Sequence, residues 1–283
     1  MGFLNLIKGF RHFQNDYFKN DSELYERLVN DGQSPKVMVI ACSDSRIDPA
    51  LLTQSQPGDI FSVRNIAAMV SPDDDSDHRG HGTAAAVEYA VKVLKVEHII
   101  ILGHALCGGV HALAKSGDDL EQDDGFIARW ISIGADARNK VRHIFPDHSV
   151  DDQAPILEKT SILVSINNLM SYSWVRDAVE ANTLKLHGWY FDMPHGMLLH
   201  YDPVTNKFED TLASSVRAAI EAPNCDCGTS TISLTQFLNT LKGDKPAKKS
   251  CLCSVGVKIK RSAKAVSVSL FSPEVLTAVA EII

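Results

Sequence analysis

Short apolar runs rich in β-branched residues alternate with helical stretches over the first two thirds of the chain, and this alternation restricts the fold more than any other feature. "KVMVIAC" (36–42), "IFSVRN" (60–65) and "HIIILGH" (98–104) read as buried strands. Between the last two lies "GTAAAVEYAVKVLKV" (82–96), which sets Val87, Ala90, Val91 and Leu94 on one helical face. Strands interleaved with helices predict a parallel sheet in an α/β fold. "FIARWISIGADARNKV" (126–141) and "TSILVSINNLMSYSWVRDAVEA" (160–181) read as further helices. "LKLHGWYFD" (184–192) and "GMLLHYD" (196–202) read as a hairpin-like pair that adds an antiparallel strand.

The character changes after about residue 207, so the chain divides into a main α/β domain over 1–210 and an α+β extension over 211–283. In the extension, "TLASSVRAAIEAP" is helical, and "VGVKIKR" and "KAVSVSL" alternate strictly as a hairpin does. Ser272 and Pro273 open a final helix. From Thr211 onward nine Lys or Arg stand against five Asp or Glu, giving +4; the whole chain carries −7, which leaves −11 on residues 1–210. A strongly acidic body is a poor nucleic-acid binder, because phosphate contacts need Lys and Arg. No apolar run is long enough to span a bilayer. The segment "MGFLNLIKGFRHFQNDYF" lacks the continuous apolar core of a signal peptide, so a cytoplasmic protein is expected. It reads instead as an amphipathic arm, with Phe3, Leu6, Ile7, Phe10 and Phe13 available to pack on the body or on a second subunit.

Two stretches carry chemistry. "ACSDSRIDP" follows the first strand and spaces Cys42, Asp44 and Arg46 two apart, so in an extended segment all three side chains point one way. "ILGHALCGGVHAL" closes the third strand with His104 and presents Cys107 three residues later. Ligands of open α/β sheets sit outside the carboxyl ends of the strands, where Cys42 and His104 both fall. Two thiolates and an imidazole form a recognised zinc shell whose fourth position stays open, which is the arrangement of catalysis rather than of a structural staple. Any one of the three alone reads as an ordinary core residue; together, beside Asp44 and Arg46, they do not. Cys225, Cys227, Cys251 and Cys253 form two C-x-C pairs in the extension. Structural zinc pairs are usually spaced C-x₂₋₄-C, so these four read first as strand residues and only second as a Cys₄ zinc site.

"CSDSR" followed by "GHALCGG" resembles the β-class carbonic anhydrases, whose pattern is C-x-D-x-R with H-x-x-C some sixty residues on. The likeness continues through "GQSPK", "QPGDIFSVRN", "GTAAAVEYAV" and "HGWYFD", over about residues 20–208. It implies the fold of that family, a central, mainly parallel sheet flanked by helices. It also implies reversible hydration of carbon dioxide to bicarbonate by zinc-bound hydroxide. One zinc ion per chain is expected on Cys42, His104 and Cys107. Asp44 serves the zinc-bound oxygen and Arg46 keeps that carboxylate ionised and aimed. In some members the aspartate swings away and becomes a fourth metal ligand in a closed, inactive form. The match assigns substrate contacts to Gln33 and the backbone N–H of Gly108, and an apolar lining to Phe61, Ile66 and Tyr89. Part of that lining crosses a subunit interface, so at least a homodimer is expected. A subgroup is inhibited by bicarbonate in a pocket of Trp, Arg and Tyr; here those positions are Val39, Arg64 and Phe191, which leaves Arg64 a structural or interfacial role.

The alternatives are hydrolysis of carbonyl sulfide or carbon disulfide on the same site, or a zinc protein kept as a scaffold. A scaffold needs neither Asp44 nor Arg46. "GHGTAA" (80–85) fits a nucleotide-binding glycine pattern but follows an acidic loop rather than a strand, so it reads as the entry to a close-packed helix. His78 and His81 in that loop read as exposed loop histidines, with proton shuttling the second reading.

Overall fold

The computed structural model describes residues 2–20, 22–73, 82–117, 120 and 125–211. His78, His81 and the predicted elements and four cysteines of the extension lie outside the described residues.

Six strands form one sheet: β1 (Val37–Cys42), β2 (Ile60–Asn65), β3 (His98–His104), β4 (Lys185–Asp192), β5 (Met197–Asp202) and β6 (Lys207–Asp210), in the order β2-β1-β3-β4-β5-β6. The first four neighbours run parallel, and β5 and β6 are antiparallel. The three expected strands therefore form, and the expected hairpin attaches as β4 and β5. β6 was not anticipated. It follows β5 by a four-residue turn in which Asp202 accepts the Val204 N–H, and Asn206 takes a left-handed conformation.

Helices α1 (Phe3–Gln14) and α2 (Glu23–Asp31) make the N-terminal arm, and α3 (Pro49–Thr53) follows β1. α4 (Gly82–Glu88) continues as a π-helical stretch over Tyr89–Leu94. The rest are α5 (Gly108–Lys115), α6 (Phe126–Ile131), α7 (Ala135–Ile144), α8 (Val150–Ser171) and α9 (Ser173–Glu180). Each face of the sheet has its own apolar core. Val39, Ala41, Ile100 and Leu102 pack with Val110, Leu113, Val141 and Leu157. Met38, Ile40, Ile99 and Ile101 pack with Val87, Ala90, Leu169 and Val175 on the other. Strands buried on both faces read as continuous apolar runs, which is why 36–42 and 98–104 were legible.

α8 starts ten residues before the helix expected from sequence, and the single helix read through 181 breaks at Tyr172. The early start rests on a capping box: the Ser149 side chain accepts the Asp152 N–H and Asp152 accepts the Ser149 N–H. Pro155 inside the second turn argues against helix in the sequence. Burial of Glu158, Lys159, Thr160 and Ser161 along with the apolar residues erases the one-sided pattern.

α8 lies against the sheet through two strand glycines. A Cβ on Gly103 would stand 2.7 Å from Ile162 Cδ1, and one on Gly188 2.9 Å from Ile162 Cγ2. Ile162 fills the groove that the missing side chains leave, one residue before His104. The arm is held by a Tyr17 hydroxyl donating to Gln56 and by Leu28 over Gly58. Phe13, Tyr17, Phe18 and Tyr25 cluster, whereas Phe3, Leu6 and Phe10 are exposed in the single chain, so the body does not cover them.

Gly103→Ala is expected to lower stability by about 1–3 kcal/mol through overpacking, read as a lower thermal midpoint. Ile162→Ala added to it should recover part of that loss, and unchanged stability of the single variant would show that α8 is free to shift.

Candidate metal centre

β1 and β3 are parallel neighbours with Ala41 opposite Leu102, so Cys42 and His104 end at the same edge of the sheet. Cys107 returns to them through a tight turn in which Leu106 adopts a left-handed φ of 58°. Outside glycine that conformation costs about 1 kcal/mol or more and needs support from its surroundings. Cys107 then immediately precedes α5. The ligand atoms of Cys42, His104 and Cys107 all lie within 4.8 Å of one another, and all three residues are buried.

The set fits a zinc ion. The two sulfurs are 3.9 Å apart, close to the roughly 3.8 Å edge of a tetrahedron built on ~2.3 Å zinc–sulfur bonds. His104 Nδ1 is 2.9 Å from the Ala105 carbonyl oxygen, which assigns its proton to Nδ1 and leaves Nε2 bare. That Nε2 is buried with no hydrogen-bond partner. A lone pair shut away from water in this manner is costly unless a cation takes it. The contact between the two sulfurs brings the Cys42 thiol down to about 4 and pushes that of Cys107 up, and burial pushes Cys107 up further.

The reason Cys42, Asp44 and Arg46 converge differs from the one their spacing suggested. β1 ends at Cys42, and the chain then turns, with the Ile47 N–H donating to the Asp44 carbonyl at 3.2 Å. Curling of this loop, rather than strand alternation, brings the carboxylate to the metal group. Asp44 Oδ2 stands 3.9 Å from His104 Nε2. Arg46 grips Asp44 with two bonds, Nε to Oδ1 at 2.9 Å and Nη2 to Oδ2 at 2.6 Å, and its backbone N–H adds a third at 2.9 Å. This guanidinium holds the Asp44 carboxyl well below the usual carboxylate range. Arg46 Nη2 also donates to the Leu106 carbonyl at 3.0 Å, tying the loop of Asp44 to that of Cys107.

Arg64, from β2, braces the same loop from behind. It donates to the carbonyls of Cys42, Asp44 and Ile47 at 3.1, 2.7 and 2.6 Å, and to Asp48 Oδ2 at 3.0 Å. Asp48 uses its other oxygen to cap α3.

A family model described as carbonic anhydrase matches residues 37–198 of the 283. The chain is 40% identical over 189 residues to β carbonic anhydrase 3 of Arabidopsis thaliana, covering 66% of this chain and 72% of that one. The chain is a β-class carbonic anhydrase. Among solved structures it is similar to the β-carbonic anhydrase CcaA, with a TM-score of 0.67 and 32% identity over 73% of this chain and 98% of that one. It is also similar to a structure from a study of two tetrameric β-carbonic anhydrases of Sordaria macrospora, with a TM-score of 0.55, 30% identity, and coverage of 69% and 91%.

The other residues expected around the substrate divide into two groups. Gly108 opens α5 beside Cys107, and Ile66 lies over Gly109, where an added Cβ would stand 2.7 Å from Ile66 Cγ2. Gln33 is exposed on the loop before β1. Phe61 pairs with Met38, four residues before the Cys42–Asn65 pair, so about 13 Å of strand separates it from the metal group. Its ring packs on Tyr89 instead, with centroids 5.9 Å apart. The sequence reading overlooked Glu158, which approaches the centre from α8. Its two oxygens accept the Cys107 N–H at 3.0 Å and the Tyr190 hydroxyl at 2.8 Å. No spacing rule points to a carboxylate fifty-one residues beyond the cysteine whose backbone it touches.

In this carbonic anhydrase Arg64 is engaged by four acceptors, and the two positions that the resemblance groups with it carry the apolar Val39 and Phe191. Hydration activity is therefore expected to show no cooperative inhibition by bicarbonate at this position. Sigmoidal loss of activity with added bicarbonate, abolished by Arg64→Ala, would overturn the expectation.

Proposed function

We propose that this carbonic anhydrase catalyses the reversible hydration of carbon dioxide to bicarbonate and a proton, with one zinc ion per chain on Cys42, His104 and Cys107. The observation that carries this reading is the bare, buried Nε2 of His104 between two thiols, with an ionised and arginine-clamped carboxylate at its side. Zinc in a site of three protein ligands supplies a Lewis acid that brings the ionisation of water close to neutral pH.

The chain's own groups supply orientation. Asp44, held ionised by Arg46, accepts hydrogen bonds and donates none, so it selects a water that still has a proton to offer and aims the oxygen lone pair away from itself. Asp44 paired with Arg46 is the open arrangement; the closed form requires the carboxylate to leave that clamp and join the ligands. The Gly108 N–H at the start of α5 offers a donor and the positive end of a helix dipole to a substrate oxygen that gains charge. Ile66 contributes apolar surface suited to carbon dioxide. Phe61 and Tyr89 complete the lining, and Gln33 adds its amide, across a homodimer interface, with the exposed Phe3, Leu6 and Phe10 of α1 seated on the second copy. A reducing compartment such as the cytoplasm suits a site that needs both thiols free.

Stopped-flow hydration of carbon dioxide by the zinc-loaded protein is the deciding measurement, and no turnover with zinc bound would end the proposal. Cys107→Ala should lose both metal and activity; stoichiometric zinc in that variant would show that the ligand set is wrong. Asp44→Asn should keep its zinc and lose on the order of a hundredfold in kcat/KM, because the amide cannot orient a proton-bearing nucleophile as the carboxylate does.

A further inference from the structure

Behind the metal centre, the chain buries a carboxylate that the reaction as proposed does not use. Glu158 lies on α8, 4% exposed, with Oε1 on the Cys107 N–H and Oε2 on the Tyr190 hydroxyl. Each carboxyl oxygen thus takes a donor from a different element, one from the turn before α5 and one from β4. Burial pushes its pKa up, and the Tyr190 hydroxyl and the Cys107 and Leu106 N–H groups oppose that rise by favouring the charged form. Lys159, the next residue, is buried too and sets its ammonium 4.8 Å from the centre of the Tyr190 ring, so the negative charge has a cation close by.

The consequence runs through Leu106. Its left-handed backbone turns successive N–H groups toward one side, a concavity that suits an anion. Glu158 occupies that side. On the opposite side the Leu106 carbonyl meets Arg46 Nη2 at 3.0 Å, and the same nitrogen holds Asp44 Oδ2. We infer that Glu158 is a positioning residue: its carboxylate fixes the Leu106–Cys107 turn so that the Leu106 carbonyl aims Arg46, and through Arg46 aims Asp44. A continuous line of contacts thus joins a side chain in the core to the carboxylate at the metal group. The inference rests on the proposed role of Asp44, and it adds a residue that touches neither substrate nor metal.

The test uses zinc-loaded full-length protein. Glu158→Gln preserves shape while removing the charge and one acceptor. It is expected to fold, to retain one zinc per chain, and to lose about tenfold in kcat with KM little changed. In an Arg46→Ala background the same substitution should cost almost nothing further, because the contact through which it acts is already gone. Hydrogen exchange at the Leu106 and Cys107 amides should rise at least fivefold in Glu158→Gln while the α5 amides beyond Val110 stay protected. Should Glu158→Gln not fold, Glu158→Asp keeps the charge beside Lys159 but withdraws the acceptor from the turn, and the same losses are expected. An unchanged kcat, an equal loss in both backgrounds, or a loss tracking zinc content would overturn the inference. If the unaltered protein shows no hydration activity, the proposed function fails, and unchanged amide exchange then separately removes Glu158 from the turn.

Discussion

Parallel pairing of β1 with β3 is the constraint on which the rest depends. It places the carboxyl ends of two adjacent central strands at one edge, so that Cys42 and His104 meet although sixty-one residues separate them in the chain. The apolar runs that build these strands are covered on both faces, which leaves the strand ends as the place where polar side chains can gather without disturbing a core. Cys107 then has only to return three residues after β3. It does so through a strained turn that a relaxed chain would avoid, and contacts from two directions, Glu158 below and Arg46 above, hold it there.

Much of this was legible in the sequence, and what was not shares a physical reason. The strands and the candidate ligand residues announce themselves locally, as β-branched runs and as C-x-D-x-R and H-x-x-C spacings. The convergence of Cys42, Asp44 and Arg46 was foreseen for the wrong reason, because a turn stabilised by its own carbonyls does the work assigned to an extended strand. The start of α8 was hidden by Pro155 and by polar residues buried on every side, whereas the Ser149–Asp152 capping box was a signal available to be read. Glu158 and the Arg64 brace are contacts between elements distant in sequence, and nothing in one sequence reveals which charged residue of a helix will turn inward. Phe61 and Tyr89 illustrate the opposite limit: their residue types match an apolar lining, yet within one chain they pack on each other and stand away from the metal group.

Two arginines divide the labour around Asp44, and neither task suits a lysine. Arg46 must contact both carboxylate oxygens and the Leu106 carbonyl at once, while Arg64 must reach three backbone carbonyls and Asp48. A planar fork of five donors spans such sets with little reorganisation; an ammonium is a point charge that satisfies one or two of them. The division also separates two kinds of restraint. Arg64 acts on backbone carbonyls and so fixes where the loop runs, leaving the Asp44 side chain free to rotate. Arg46 acts on the side chain itself and is half exposed, so its grip can be released without unfolding the loop. The closed form proposed for Asp44, in which the carboxylate joins the metal group, would draw on this combination: a backbone that stays put and a side-chain partner that can let go.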